Sequence, residues 1–241
     1  MMKRLFAILL CLTQPAWGAF TLIAHVGCGN GGAGCTTAAI DTTAGGGADL
    51  IVVHVGYLIG TVDSISDSVN GSGYTALTAH NSRSRMWYFF NSGTSANHTF
   101  TVAATDSFPS MEVLAFKGSQ LSPDPFFAEN GANGTSPPYT ANTGAVTVNA
   151  TGDLVVTGIM NGSIENILTS GYTISDQVTF VVATNYRSAA SYKLSGTGSE
   201  SDTWGNIGDF SSWGASIATF KQASAGAATP VCPSPFCGII Q

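Results

Sequence analysis

The stretch GCGNGG, residues 27–32, has the glycine spacing of a dinucleotide-binding turn and follows an apolar run. That chemistry needs a helix next, whose N-terminus holds the pyrophosphate. AGCTTAAIDTTAGGG follows instead, so a glycine loop closed by Cys28 and Cys35 is the preferred reading. Nucleophilic hydrolysis finds no G-x-S-x-G elbow, and His25, His54, His80 and His98 have no sequence partner that marks a triad. His25 and His54 sit inside apolar runs and read as packed or edge strand residues. No H-E-x-x-H or H-x-H pair suggests zinc. Glycoside hydrolysis needs two carboxylates facing one another. Glu112, within MEVLAF, shares a strand face with Leu114 and Phe116, but its counterpart in the repeat described below is Ser216. A hydrolase or lyase acting on polysaccharide therefore ranks behind non-enzymatic readings.

Two further stretches carry ligand chemistry. DSISDSVNGSG (63–73) sets Asp63, Asp67 and Asn70 among glycines, the hard oxygen donors that Ca²⁺ prefers. Their spacing matches no defined loop, and Asp, Asn and Gly are also the ordinary turn formers, so a turn is preferred to calcium. DTWGNIGDFSSW (202–213) places Trp204, Phe210 and Trp213 around a glycine-rich loop with Asn206 and Asp209. Exposed aromatic rings beside amides and carboxylates are what sugar recognition uses. These five residues are the candidate ligand site; the competing and preferred reading is that Trp213 starts the last strand and fills core while Trp204 pins the loop.

The elements that would position these residues are strands. Charged residues make up 9% of the chain and Gly accounts for 29 of 241, while Ser, Thr and Asn fill the spaces between short apolar runs. The runs also repeat. GGADLIVVHV (46–55) matches ATGDLVVTGI (150–159), Asp49 to Asp153 giving an offset of 153 − 49 = 104. GSGYTAL (71–77) matches TSGYTIS (169–175), and VLAFK (113–117) matches SIATFK (216–221). Three landmarks in one order at nearly constant offset indicate internal duplication, with halves of about 19–117 and 145–221. The proline-bearing stretch 118–144 reads as a connection, because proline cannot donate to a ladder. The fold class expected is all-β, a jelly-roll-like antiparallel β-sandwich built from two duplicated halves; two tandem small sandwiches are the alternative. LIVVHV and MWYFF are apolar on both faces, so something must cover the second face, either loops or another subunit.

Residues 1–18 have a basic start at Lys3 and Arg4, an apolar run from Leu5 to Leu12 and small residues at Ala16 and Gly18, the pattern of a cleaved secretory signal. That run is too short to span a bilayer, and no later segment is long enough. Cleavage leaves six basic and fourteen acidic residues, a net charge of 6 − 14 = −8, which sets aside nucleic acid and anionic membrane surfaces as partners. It also leaves Cys28, Cys35, Cys232 and Cys237, an even set for an exported protein, with three connectivities open and local pairs preferred. Residues 222–241 read as an Ala/Gly/Pro spacer and a cysteine-containing tail.

The duplicated pattern of Asp-Leu plus an apolar strand, then Ser-Gly-Tyr-Thr, then an apolar strand ending Phe-Lys resembles exported bacterial and phage-associated β-sandwich proteins of the broad concanavalin-like jelly-roll type. The resemblance spans residues 20–221 and implies a fold and an extracellular setting, with carbohydrate binding as an association. The function expected is an exported, non-enzymatic surface-binding or adhesion module whose partner is a glycan or cell-surface polymer. A self-associating structural subunit of an extracellular or virion-surface assembly is the alternative. No cofactor is expected apart from the calcium reading.

Overall fold

The computed structural model describes residues 19–224 apart from positions 30, 31, 33, 59, 61, 81, 82, 105–107, 135–139, 163–167, 170, 181–185 and 206–211. The chain is an all-β antiparallel sandwich. Its first half supplies β1 (Thr21–Gly29), β2 (Cys35–Thr36), β3 (Leu50–Gly56), β4 (Val62–Asp67), β5 (Thr75–Ala76), β6 (Ser84–Phe90), β7 (Phe100–Ala104) and β8 (Ser110–Lys117). The second supplies β9 (Phe126–Gly134), β10 (Thr140–Asn142), β11 (Val146–Thr147), β12 (Leu154–Asn161), β13 (Leu168–Thr169), β14 (Thr173–Phe180), β15 (Tyr186–Leu194), β16 (Ser199–Glu200), β17 (Thr203–Gly205) and β18 (Trp213–Phe220).

Each half builds one five-stranded sheet, in the orders β1-β8-β3-β6-β5 and β14-β15-β12-β18-β9, and the two sheets lie face to face. Each half also builds a three-stranded layer, β2-β7-β4 or β10-β17-β13, over the outer face of its own large sheet. This four-layer stack explains the doubly apolar strands. Alternation sends Leu50 and Val52 inward against Leu154 and Val156 of the other half, while Ile51, Val53 and Val55 point outward onto Ile65, Phe100 and Val102 of the small layer. A strand buried on both faces has no polar side to show. The cover is supplied from within the chain by the small sheets.

The repeat maps strand onto strand. At the offset of 154 − 50 = 104, β3 becomes β12, β6 becomes β15 and β8 becomes β18. β12 crosses β3, β1 packs beside β14, and at the opposite edge Thr78, just past β5, holds Glu129 of β9 with its N–H and hydroxyl at 3.0 and 2.7 Å. The halves are thus related by an approximate two-fold axis between β3 and β12. The duplicated aspartates mark equivalent corners. Asp49 accepts the Gly118 and Ser119 amides at 3.0 Å, and Asp153 accepts the Gln222 amide at 3.1 Å and that of Ala150 at 2.8 Å. Each carboxylate pins the chain leaving the last strand of its half to the start of the central strand. Both aspartates are buried.

The stretch 118–144 is more than a connection. It contains β9, which pairs along its length with β18, and β10. Pro123 and Pro125 precede β9, and an edge strand needs hydrogen-bond partners on one side only, so its glycines and asparagines are tolerated. The second half therefore begins at β9, ahead of residue 145. Of the three disulfide connectivities left open by the sequence, the structure joins Cys28 on β1 to Cys35 on β2, tying the small layer to the large sheet. Cys232 and Cys237, like the signal segment 1–18, lie outside the described residues.

Two outcomes follow from this packing. A Cβ on Gly158 would stand 2.3 Å from the His54 ring, so Gly158→Ala is expected to wedge the two large sheets apart and cost about 1–3 kcal/mol or more in urea unfolding. Asp153→Ala leaves two amides without an acceptor and is expected to cost about 1–3 kcal/mol. An unchanged urea midpoint in Asp153→Ala would show that the carboxylate does not clamp the corner.

Candidate functional site

At the centre of the interface between the large sheets lies a group of polar side chains. The inward face of the first sheet carries His54 on β3, Ser84 on β6, and Ser110 and Glu112 on β8; the second carries Ser188 on β15 and Ser216 on β18. His54 Nδ1 lies 2.8 Å from Glu112 Oε2, and His54 Nε2 lies 2.9 Å from Ser84 Oγ. Ser84 Oγ is 2.8 Å from Ser216 Oγ. Ser188 donates to Glu112 Oε1, and Ser110 Oγ stands 2.5 Å from Ser188 Oγ and 3.2 Å from the Gly56 carbonyl.

Serine, imidazole and carboxylate in this order are the parts of a nucleophilic triad. The sequence hid them because they come from three strands that only the sheet order brings together: β3 has β8 on one side and β6 on the other, so His54 sits opposite Glu112 and Met86 in the two ladders, with Ser84 one same-face step along β6. A nucleophile also needs a space where the reacting carbonyl sits and donors for its oxyanion. His54, Ser84, Ser110, Glu112 and Ser188 are each 0% exposed, and the backbone at Gly158 closes over the imidazole. No substrate reaches Ser84 here. The group works instead as a polar lock between the halves, in which each buried polar atom finds its partner in the network. Burial pushes the Glu112 carboxyl above its ordinary value, and the hydrogen bonds from His54 and Ser188 offset only part of that.

Each outer layer has a second polar knot, and the duplication has moved its carboxylate. In the first half Asp67, at the end of β4, accepts the Val69 and Asn70 amides at 2.7 and 2.5 Å, the Asn70 side chain at 2.9 Å and the Tyr74 hydroxyl at 2.6 Å, with His98 Nε2 at 3.0 Å. Burial works to raise this carboxyl, but these hydrogen bonds outweigh it and hold the group well below the usual carboxylate range. Both oxygens are engaged by protein donors, the arrangement of a turn. Asn70 spends its side chain on the same turn and on Ser92. Asp63 lies on β4, and its side chain is outside the described residues. In the second half the position of His98 is taken by Asp202, which accepts the Thr157 hydroxyl at 2.6 Å, Ser191 at 3.3 Å and Thr169. Burial pushes Asp202 upward, partly countered by those hydroxyls.

The aromatic platform expected at 202–213 is corrected for its two tryptophans. Trp204 is 0% exposed, in the position that Phe100 holds in the first half, and Trp213 is 8% exposed in the same cluster. Both belong to one buried cluster with Ala141, Ile159, Ala189 and Ala215, so neither ring is offered to a sugar. The repeat offset already aligned Trp204 with the strand residue Phe100, a core signal outweighed by the neighbouring glycines. Asn206, Asp209 and Phe210 lie outside the described residues. Two open grooves, about 600 and 550 Å³, meet at Ala19; Asp49 is the one carboxylate lining the first and none lines the second. Neither has the facing pair that glycoside hydrolysis uses. Among the described residues no His, Cys, Asp and Glu cluster fits a metal ion, and no helix is long and apolar enough to cross a membrane.

Compared with protein-family models, curated proteins and solved structures, the chain has no match.

Because Glu112 has a folded pKa above its unfolded value near 4.5, its contribution to stability is complete below that value and is lost as pH rises through the folded pKa. Urea midpoints of the wild type relative to Glu112→Gln are therefore expected to fall from about pH 4.5 upward; a flat difference across that range would mean the carboxyl is not perturbed. Asp67 has the opposite sign. Its stabilisation, measured against Asp67→Asn, is present above the ordinary value of 3.8 and is lost as pH falls below it.

Proposed function

We propose that this protein is an exported, non-enzymatic surface-binding module with carbohydrate as its ligand class. The observation that carries the reading is the burial of the Ser84–His54–Glu112 group: the one catalytic-looking constellation among the described residues is sealed between the sheets and spent on holding the halves together. What remains for function is the surface. That surface is poor in charge and rich in Ser, Thr and Asn, suited to hydrogen-bonding a neutral, hydroxyl-bearing partner and unsuited to polyanions. The signal pattern at 1–18 and the Cys28–Cys35 bridge both fit an oxidising, extracellular setting. The assembly-subunit alternative drew on strands apolar on both faces, and internal layers account for that cover.

A glycan-array screen of the mature chain from Ala19, paired with an assay for released reducing ends, tests the reading. Selective glycan binding without hydrolysis, unchanged in Ser84→Ala, is the expected result. Product release that disappears in Ser84→Ala or Glu112→Gln would replace it with an enzyme. A blank array from a chain that sediments as an oligomer would favour the assembly subunit.

A further inference from the structure

The corners clamped by Asp49 and Asp153 do the same structural work, so what one of them carries beyond the clamp is not required by the fold. At the repeat offset of 223 − 119 = 104, Ser119 falls on Ala223 and Lys117 on Lys221. The two halves use these positions differently. Ser119 is 1% exposed, and its hydroxyl finds no hydrogen-bond partner among the described residues. Its backbone is held on both sides, by Asp49 through the amide at 3.0 Å and by a bridge to Gln222. A buried hydroxyl left unpaired costs stability, and the alanine at the matching place in the second half shows that the corner is built without one. The Lys117 ammonium lies 3.4 Å from Asp49 Oδ2 with its side chain 42% exposed, whereas Lys221 stands over the Phe127 ring, 5.5 Å from its centroid.

Ser119, Lys117 and Asp49 line one groove of about 600 Å³, and Leu121, 47% exposed, adds an apolar patch to its wall. That volume is in the range of small-ligand pockets, about 300–1,000 Å³. The polar groups are of mixed kind. A serine hydroxyl both donates and accepts, and an ammonium has protons beyond the one turned to Asp49. With no bond to break, the Ser119 hydroxyl reaches a ligand in the groove by a rotamer step about a backbone that is already fixed. Asp49 and Lys117 balance one another's charge, so the groove favours neither an anion nor a cation. At Ala19 it meets the second groove, of about 550 Å³, where Thr151 and Gln222 supply the polar side chains.

We infer that the groove beside Ser119 is the subsite for a sugar ring of a neutral oligosaccharide, whose chain continues past Ala19 into the neighbouring groove. This rests on the carbohydrate reading above. A ring with hydroxyls on its edge and C–H groups on its face matches a wall that offers a donor-acceptor hydroxyl, a balanced ion pair and an exposed leucine together. The unpaired Ser119 hydroxyl is then a binding group held ready, which accounts for a serine where the other corner has alanine.

The test titrates the ¹⁵N-labelled mature chain from Ala19 with cellohexaose, chitohexaose and maltohexaose, and with hexagalacturonate as an acidic probe, following the backbone amide shifts. At least one neutral hexasaccharide is expected to give saturable shifts at Gly118, Ser119, Gln120 and Gly152. Ser119→Ala installs the residue of the opposite corner and removes an unpaired hydroxyl, so the thermal midpoint is expected to hold or rise while binding weakens about fivefold or more. Leu121→Asp, at an exposed position where folding is not in question, sets a charge against the sugar ring and is expected to weaken binding about tenfold or more. An unchanged affinity in Ser119→Ala, saturable shifts confined to another surface, or tighter binding of hexagalacturonate than of every neutral probe overturns the inference and leaves the binding-module reading standing. No shift with any neutral probe also overturns it, and the glycan array then separates the two ideas: a retained glycan keeps the binding-module reading, and a blank array removes both.

Discussion

The contact of β3 on β12 is the constraint around which the other layers are arranged. Two strands buried on both sides meet at their middles, and the approach is so close that a methyl group at Gly158 would overlap the His54 ring. Leu50, Val52, Leu154 and Val156 exclude water on one side of that point. On the other side the serines, His54 and Glu112 take over, satisfied only while the sheets stay in register. A buried network of this kind is costly when broken, so it fixes how the halves sit on one another more sharply than apolar packing would. The small layers then have a simpler task, which is to cover the faces turned away from the contact.

That division of labour accounts for which positions look catalytic and which face solvent. Triads in hydrolases stand at the mouths of clefts, where strand ends and loops leave room for a substrate. Here the equivalent atoms lie at mid-sheet, where geometry is most rigid and access is nil. The same chemistry that would activate a serine serves to satisfy polar atoms that the duplication placed in a dry interface.

Much of the fold was legible in the sequence, and the reason is periodicity. The repeat offset, the turn residues and the apolar runs at 50–55, 113–116 and 154–156 each mark a strand on their own. β9 was not legible, since FFAENGANG has the composition of a loop and becomes a strand only because the edge of β18 is there to receive it. The site was less legible than the fold. His54 and Glu112 stand out in the sequence only one at a time, as a histidine within an apolar run and a carboxylate within a strand, Ser84 not at all, and only the order β8-β3-β6 brings the three into reach. Trp204 misled in the other direction: glycines beside it suggested an exposed loop, whereas its repeat partner Phe100 pointed to the core.

The axis between β3 and β12 also bears on how such a chain could arise. Two identical copies related by a two-fold must place the same residue on both sides at the axis. Histidine facing histidine would not fit where Gly158 now meets His54, and glycine facing glycine would leave a hollow between the central strands. A self-associating single half could use only residues that tolerate their own image. Joining two halves in one polypeptide lifts that restriction. Carrying both halves in one polypeptide does more than raise the local concentration of a partner: it allows a bulky side chain on one half and a vacancy on the other, an asymmetric fit that no homodimer of the half could encode.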